Sequence, residues 1–238
     1  MKYVRDLTGR FAERPHYEPQ ELDVMFERAV IGFLKQQRGK VEFPLTTEDL
    51  TVLIERDADD LDAYADLSEY GDMVEGVTEF APGRRPRVRI SQELASSEHR
   101  ENRFRTTLTH EYGHVKLHGY LFELGGKTLD LFSRDSKPKV IVCKRDTIVT
   151  AAPTDWMEWQ AGYACGAVLM PASYVRSMAE VYFERAGIYG AVAAGSNHGQ
   201  AMIDLLVGEF QVSRDAARVR LSVLGILGAD IAAKALFS

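Results

Sequence analysis

The chain has 238 residues, 45% of them hydrophobic and 27% charged, with a formal net charge of -6. At about 100–200 residues per domain this length excludes a long multidomain array, and the composition excludes a collagen-like or mostly disordered chain. The acidic balance argues against a protein built chiefly to coat itself in phosphate backbone, while a local basic patch stays compatible with it.

Two cysteines, Cys143 and Cys165, are too few for a disulfide framework and read as small core residues rather than metal ligands, since neither belongs to a paired motif. The opening residues carry no apolar export segment, and no window reaches the roughly 18 uninterrupted apolar residues of a membrane span. A cytoplasmic, reduced protein is the expectation.

In chain order, residues 1–20 are polar, contain Pro15 and Pro19, and read as a flexible arm ahead of a single domain over 21–238. Between Glu21 and Gln37, Leu22, Met25, Phe26, Val30, Phe33 and Leu34 recur at helical spacing, and Gly39 offers a stop. Thr46-Thr47-Glu48-Asp49 ahead of Leu50 and Leu53 is a helix-start signature for a second helix ending near Ile54. Carboxylates crowd the stretch from Glu55 to Glu75, which reads as a solvated helix and loop, with docking of a basic partner as the alternative. Val77–Phe80 and Val88–Ile90 flank Pro82-Gly83-Arg84-Arg85-Pro86 and predict two antiparallel strands.

The clearest helix covers residues 98–118, where Phe104, Leu108, Tyr112 and Val115 form an apolar stripe and Gly119 could end it. Lys139–Cys143 and Thr147–Thr150 suggest a hairpin. Helices are then expected at Thr154–Met170, Ala172–Arg185, Gln200–Phe210 and Arg214–Leu224.

Within the helix at 98–118 lies His110-Glu111-Tyr112-Gly113-His114, an H-E-x-x-H motif. Residues four apart on a helix stack on one face, so both imidazoles can reach one ion at Zn–N distances of about 2.0–2.1 Å. Their mean direction lies roughly 135° around the helix from the apolar stripe, so they should face a cleft while the opposite side is anchored. Glu111 projects between the two faces. Zinc lowers the pKa of a water it binds toward about 7, and a carboxylate beside that water can act as general base in peptide hydrolysis. Chance gives about 0.01 such motifs in a chain of this composition. Histidines merely satisfied on a surface, or a metal site without catalysis, are the other readings.

Two histidines leave an ion underligated. His118 lies about 12 Å along the helix from His110, too far to join both, and suits a backing or packing role. The spacing that places a third histidine six positions after the second fails, because Tyr120 and Leu117 occupy its histidine and glycine positions. Glu158 is the better choice: Ala161, Gly162 and Cys165 complete a small-residue helical face that would let another helix approach closely. Trp156, Trp159 and Tyr163 should anchor the opposite side. Spacing alone does not separate Glu158 from a solvated glutamate.

Arg103 through His114, followed by His118, together with Glu158-Trp159-Gln160-Ala161 through Leu169-Met170-Pro171, resembles the ImmA/IrrE-type zinc metallopeptidases of bacteria and their mobile elements. The resemblance covers roughly residues 76–226 and takes in Phe210 through Gly225 as the closing segment. It implies one zinc ion held by His110, His114 and Glu158, with Glu111 as the catalytic residue. It also implies endopeptidase cleavage of a partner regulator, such as a transcriptional repressor. Two features depart from the pattern. Gly162 stands where the family often has an Asn or Asp able to orient a ligating histidine, and the stretch between His114 and Glu158 is long, its Lys139–Thr150 part expected to border the substrate cleft.

Residues 196–226 spell a helix-turn-helix-like segment with Arg214, Arg218 and Arg220 on its second helix. Packing within the domain is one reading and DNA binding the other. For oxyanion stabilisation Tyr120, Tyr163 and His198 are candidates. The expected fold is α+β: a small antiparallel sheet packed on a mainly helical core, with the H-E-x-x-H helix facing the Glu158 helix.

Overall fold

The computed structural model describes residues 1–81, 83–129, 139–144 and 155–228. Its chain groups into two units, Met1–Leu22 with Thr46–Cys165, and Asp23–Leu45 with the residues from Gly166 onward. The fold is mixed α and β, built of helices and small sheets.

The first unit begins with a hairpin where a flexible arm is expected from sequence. Strands β1 (Lys2–Arg5) and β2 (Glu13–His16) pair antiparallel, Lys2 opposite His16 and Arg5 opposite Glu13. Pro15 and the charged residues hide the strand pattern, since Pro is tolerated on an edge where its missing N–H is not needed. Helix α1 (Pro19–Arg38) follows, with Leu22, Phe26, Val30, Phe33 and Leu34 buried at helical spacing.

Helix α2 (Thr47–Glu55) starts on the expected capping box. Thr46 Oγ1 accepts from the Asp49 amide at 3.1 Å, and Asp49 Oδ2 accepts from the Thr46 amide at 2.6 Å. Such a cap stabilises a helix start by about 1 kcal/mol.

The acidic stretch after α2 is helical only in a 3-10 turn at Ser68–Tyr70. Asp60–Ala65 is strand β3, with Asp60, Asp62 and Tyr64 exposed and Ala65 buried. Its inward positions are small or of modest hydrophobicity, so the alternation is faint against the charges, which suit an edge strand because they discourage pairing with another chain. Two carboxylates of the acidic stretch have protein partners: the half-buried Asp57 accepts from the Tyr112 hydroxyl at 3.1 Å, and the buried Glu75 pairs with Arg100 and Arg103.

Strands β4 (Val74–Phe80) and β5 (Arg87–Ser91) match the two predicted from sequence; Pro82 of the intervening turn lies outside the described residues. Helix α3 (Gln92–Ala95) leads through a short 3-10 turn into α4 (Glu101–Leu129), and β6 (Lys139–Lys144) completes the sheet in the order β3-β5-β4-β6. β4 runs antiparallel to β5 and β6, whereas β3 joins β5 in parallel. The second half of the expected hairpin, Thr147–Thr150, lies outside the described residues, as do the side chain of Cys143 and the start of the predicted helix at Thr154.

α4 packs on β4, β5, α2 and α3. It runs past Gly119, where a stop is expected, and that glycine lies against Pro86. Its burial is not confined to one stripe: Leu108, Tyr112 and Leu117 are buried, and so are His110, Glu111 and His114 on other faces. Helix α5 (Trp156–Leu169) closes this unit with its first ten residues.

The second unit contains most of α1, then α6 (Ala172–Ala186), strand β7 (Val192–Ala193), α7 (Asn197–Phe210), α8 (Arg214–Val223) and β8 (Leu227–Gly228), with β7 and β8 parallel. Ser196 and Ser213 cap α7 and α8 by accepting from Gly199 and Ala216 amides. Arg220 is buried, ion-paired with Asp23 at 2.7 Å and donating to the Met170 carbonyl at 2.9 Å. Among the described residues no helix is long and apolar enough to cross a membrane.

Candidate metal centre

His110 and His114 occupy one face of α4 one turn apart, and Glu158 sits in the first turn of α5. The structure brings all three together. His110 Nε2 lies 3.1 Å from His114 Nε2 and 3.2 Å from Glu158 Oε2, and His114 Nε2 lies 3.3 Å from Glu158 Oε1. Both histidines are fully buried and the Glu158 side chain is 12% exposed. The histidines thus face α5 rather than an open cleft.

The two helices approach closely because Gly113 has no side chain. A Cβ there would stand 2.9 Å from both the Ala161 Cα and the Ala164 Cβ. Ala161 and Cys165 belong to the small-residue face expected on α5, and Cys165 is buried with its Sγ 3.1 Å from Thr109 Oγ1. Of the three aromatic residues expected to anchor α5, Trp156 is buried, while Trp159 and Tyr163 are half-buried against one another at 5.7 Å.

The donor set fits a metal ion. Ligand atoms around an ion bound tetrahedrally at about 2.0–2.1 Å lie roughly 3.3 Å apart; the two Nε2 atoms are 3.1 Å apart, and each lies 3.2–3.3 Å from one of the two Glu158 oxygens, so the three residues cluster on that scale. The three residues form a group that could hold an ion.

Behind His114 runs a chain of hydrogen bonds whose proton placement is set by its far end. The Pro15 carbonyl can only accept, so Gln160 presents its amide Nε2–H there at 3.0 Å and turns Oε1 toward His118. His118 Nε2 donates to Gln160 Oε1 at 3.1 Å, which leaves His118 Nδ1 to accept from His114 Nδ1–H at 3.0 Å. Burial holds the His118 pKa well below the usual imidazole range, keeping it neutral as this role requires. His114 Nε2 is therefore the atom left to face Glu158 and an ion.

Burial opposes charge on Glu158, yet hydrogen bonds with His110 and His114 outweigh it and hold its carboxyl below the ordinary range. Burial likewise opposes charge on His114, and the Glu158 contact reverses the balance and raises its pKa. The carboxylate that favours a proton there also favours a cation in its place. His110 Nδ1 has no hydrogen-bond partner among the described residues.

Glu111 turns toward β4. Its Oε2 accepts from Thr78 Oγ1 at 2.5 Å, while Oε1 is buried without a hydrogen-bond partner among the described residues. Burial raises the Glu111 pKa, with His114 and His110 opposing it. Gly76 makes room for this carboxylate: a Cβ there would lie 2.5 Å from Glu111 Oε1 and 2.9 Å from Thr107 Cγ2. Gly76, Thr78, Gly113 and Gln160 escape sequence reasoning. A glycine within an otherwise buried strand was the available signal for Gly76, since it marks a close approach.

The three residues considered for oxyanion stabilisation have partners of their own. The Tyr120 hydroxyl lies 3.5 Å from that of Tyr3, Tyr163 leans on Trp159, and His198, in the second unit, meets the Tyr182 hydroxyl at 3.0 Å.

No protein-family profile and no curated protein matches the chain.

Proposed function

We propose that the chain is a zinc-dependent endopeptidase, related to the ImmA/IrrE-type metallopeptidases that its motifs resemble, and that its substrate is a partner regulatory protein such as a repressor. The observation that carries this reading is the convergence of His110, His114 and Glu158, whose two imidazole Nε2 atoms are 3.1 Å apart and each within 3.3 Å of a Glu158 carboxylate oxygen, with Glu111 buried on the same helix.

A mixed imidazole and carboxylate set of three protein ligands suits zinc and leaves a fourth position for water or substrate. Zinc, when bound, supplies Lewis-acid activation of water and of the scissile carbonyl. His110, His114 and Glu158 fix the ion. The chain through His118 and Gln160 keeps His114 oriented, and such backing bonds typically matter 10–100-fold for metal affinity. Glu111 would act as the base, taking a proton from the attacking water and returning it to the departing amine. Burial raises its proton affinity above that of an ordinary carboxylate, with His114 and His110 opposing.

A DNA-binding regulator draws less support. Arg220, one of three arginines on α8, is turned inward to Asp23 and the Met170 carbonyl, and Arg214 pairs with Asp204 and Gln200.

The test compares wild type with Glu111→Gln on a repressor that the wild-type protein cleaves. Gln can still accept from Thr78 but cannot serve as base, so cleavage should fall by about 100-fold or more with zinc content unchanged. Undiminished cleavage by the variant would remove Glu111 from the mechanism.

A further inference from the structure

Glu158 belongs to the first turn of α5, where helices fray because their leading amides lack partners within the helix. Asp155 satisfies that turn. Its carbonyl accepts from Trp159, and its Oδ1 accepts from the Met157 amide at 3.2 Å and the Glu158 amide at 3.5 Å. Asp155 is itself held from outside by the loop of the N-terminal hairpin: Arg10 Nη1 and Nη2 donate to its two oxygens at 2.8 and 2.7 Å, a two-pronged grip with little geometric freedom.

The same hairpin holds neighbouring positions. Asp6, fixed by bonds from Thr8 and Phe11, accepts from Trp156 Nε1 at 3.1 Å, the Arg14 guanidinium lies 5.5 Å from the centre of the Trp156 ring, and Phe11 packs on the cluster of Leu121, Trp156 and Met157. The Pro15 carbonyl starts the hydrogen-bond chain that ends on His114.

We propose that the N-terminal hairpin is part of the metal centre, and that Arg10 is a positioning residue which, through Asp155, sets the place of Glu158. This inference rests on reading His110, His114 and Glu158 as the metal ligands. Arg10 and Asp155 are 45% and 35% exposed, so their pair adds little to global stability. Loss of the pair therefore separates a change in the metal site from a change in the fold.

The experiment measures zinc affinity of the full chain by chelator competition, the visible absorption of cobalt(II) bound in zinc's place, and the melting temperature without metal, for wild type, Arg10→Ala and Arg10→Lys. Arg10→Ala should bind zinc about tenfold more weakly, the lower end for groups that orient ligands, with an altered cobalt spectrum and an unchanged metal-free melting temperature. Arg10→Lys, which keeps the charge and one of the two bonds, should recover part of the affinity. If wild type binds neither ion, the metal-centre reading fails. If wild type binds both and Arg10→Ala matches it in affinity and spectrum, the role of Arg10 is overturned and the metal-centre reading stands. Should Arg10→Ala not fold, Arg10→Lys decides: weaker zinc binding supports the role and wild-type binding overturns it.

Discussion

At the scale of single residues, the position of Glu111 depends on an atom that is missing. Oε1 occupies the space that a Cβ at residue 76 would fill, at 2.5 Å, while Thr78 two residues on holds Oε2. Gly76→Ala should therefore leave the ligands in place and push the carboxylate aside. Misplacing a catalytic group by about 1 Å can cost about 100-fold, so kcat/KM should fall by that order with zinc stoichiometry intact. Overpacking should also cost about 1–3 kcal/mol in urea unfolding. A Gly76→Ala protein with wild-type kcat/KM would mean that β4 does not set the base. H-E-x-x-H is legible in the sequence because its chemistry is written in residue identity and local spacing. Gly76 and Thr78 are not legible, because their role exists only once β4 lies against α4.

Between elements, the metal centre is a matter of helix separation. α4 carries two of the candidate ligands and α5 the third, and Gly113 against Ala161 and Ala164 fixes how near they come. Gly113→Ala tests this with two opposing effects. Alanine favours a helix by about 1 kcal/mol over glycine, but its methyl would stand 2.9 Å from the Ala161 Cα, and backbone yields less readily than the end of a side chain. Overpacking should prevail, giving a net loss of up to about 2 kcal/mol and zinc binding weakened by about tenfold or more as Glu158 moves off the histidines. Chelator competition reads this directly, and unaltered affinity would show that the α4–α5 approach has slack. The small face of α5 makes Glu158 the better candidate in the sequence, but only the family resemblance separates it there from a solvated glutamate. The hairpin beside Glu158 is not legible, for a physical reason: β1 and β2 are short, charged strands whose alternation is masked by polar residues, and hydrophobic periodicity reports only elements that bury an apolar face.

For the whole molecule, an ion held by His110, His114 and Glu158 would link site to stability in one unit. His110, His114, Glu158 and both tryptophans, Trp156 and Trp159, belong to the first unit, so tryptophan fluorescence follows the unfolding of the part that binds the ion. A ligand that binds the folded state stabilises it by about 2.7 kcal/mol at a free concentration of 100 Kd. With roughly 2–4 °C per kcal/mol for a chain of this size, the fluorescence-detected melting temperature should rise by about 5–11 °C at that zinc concentration and return on chelation. Glu158→Ala should flatten the response, because it removes a ligand and leaves two imidazoles that hold an ion weakly. Glu111→Gln should keep it, because Glu111 is not among the ligands. That pair of variants separates holding the metal from using it: a shift retained in Glu158→Ala would place the zinc elsewhere, and a shift lost in Glu111→Gln would make Glu111 part of the binding set rather than the base.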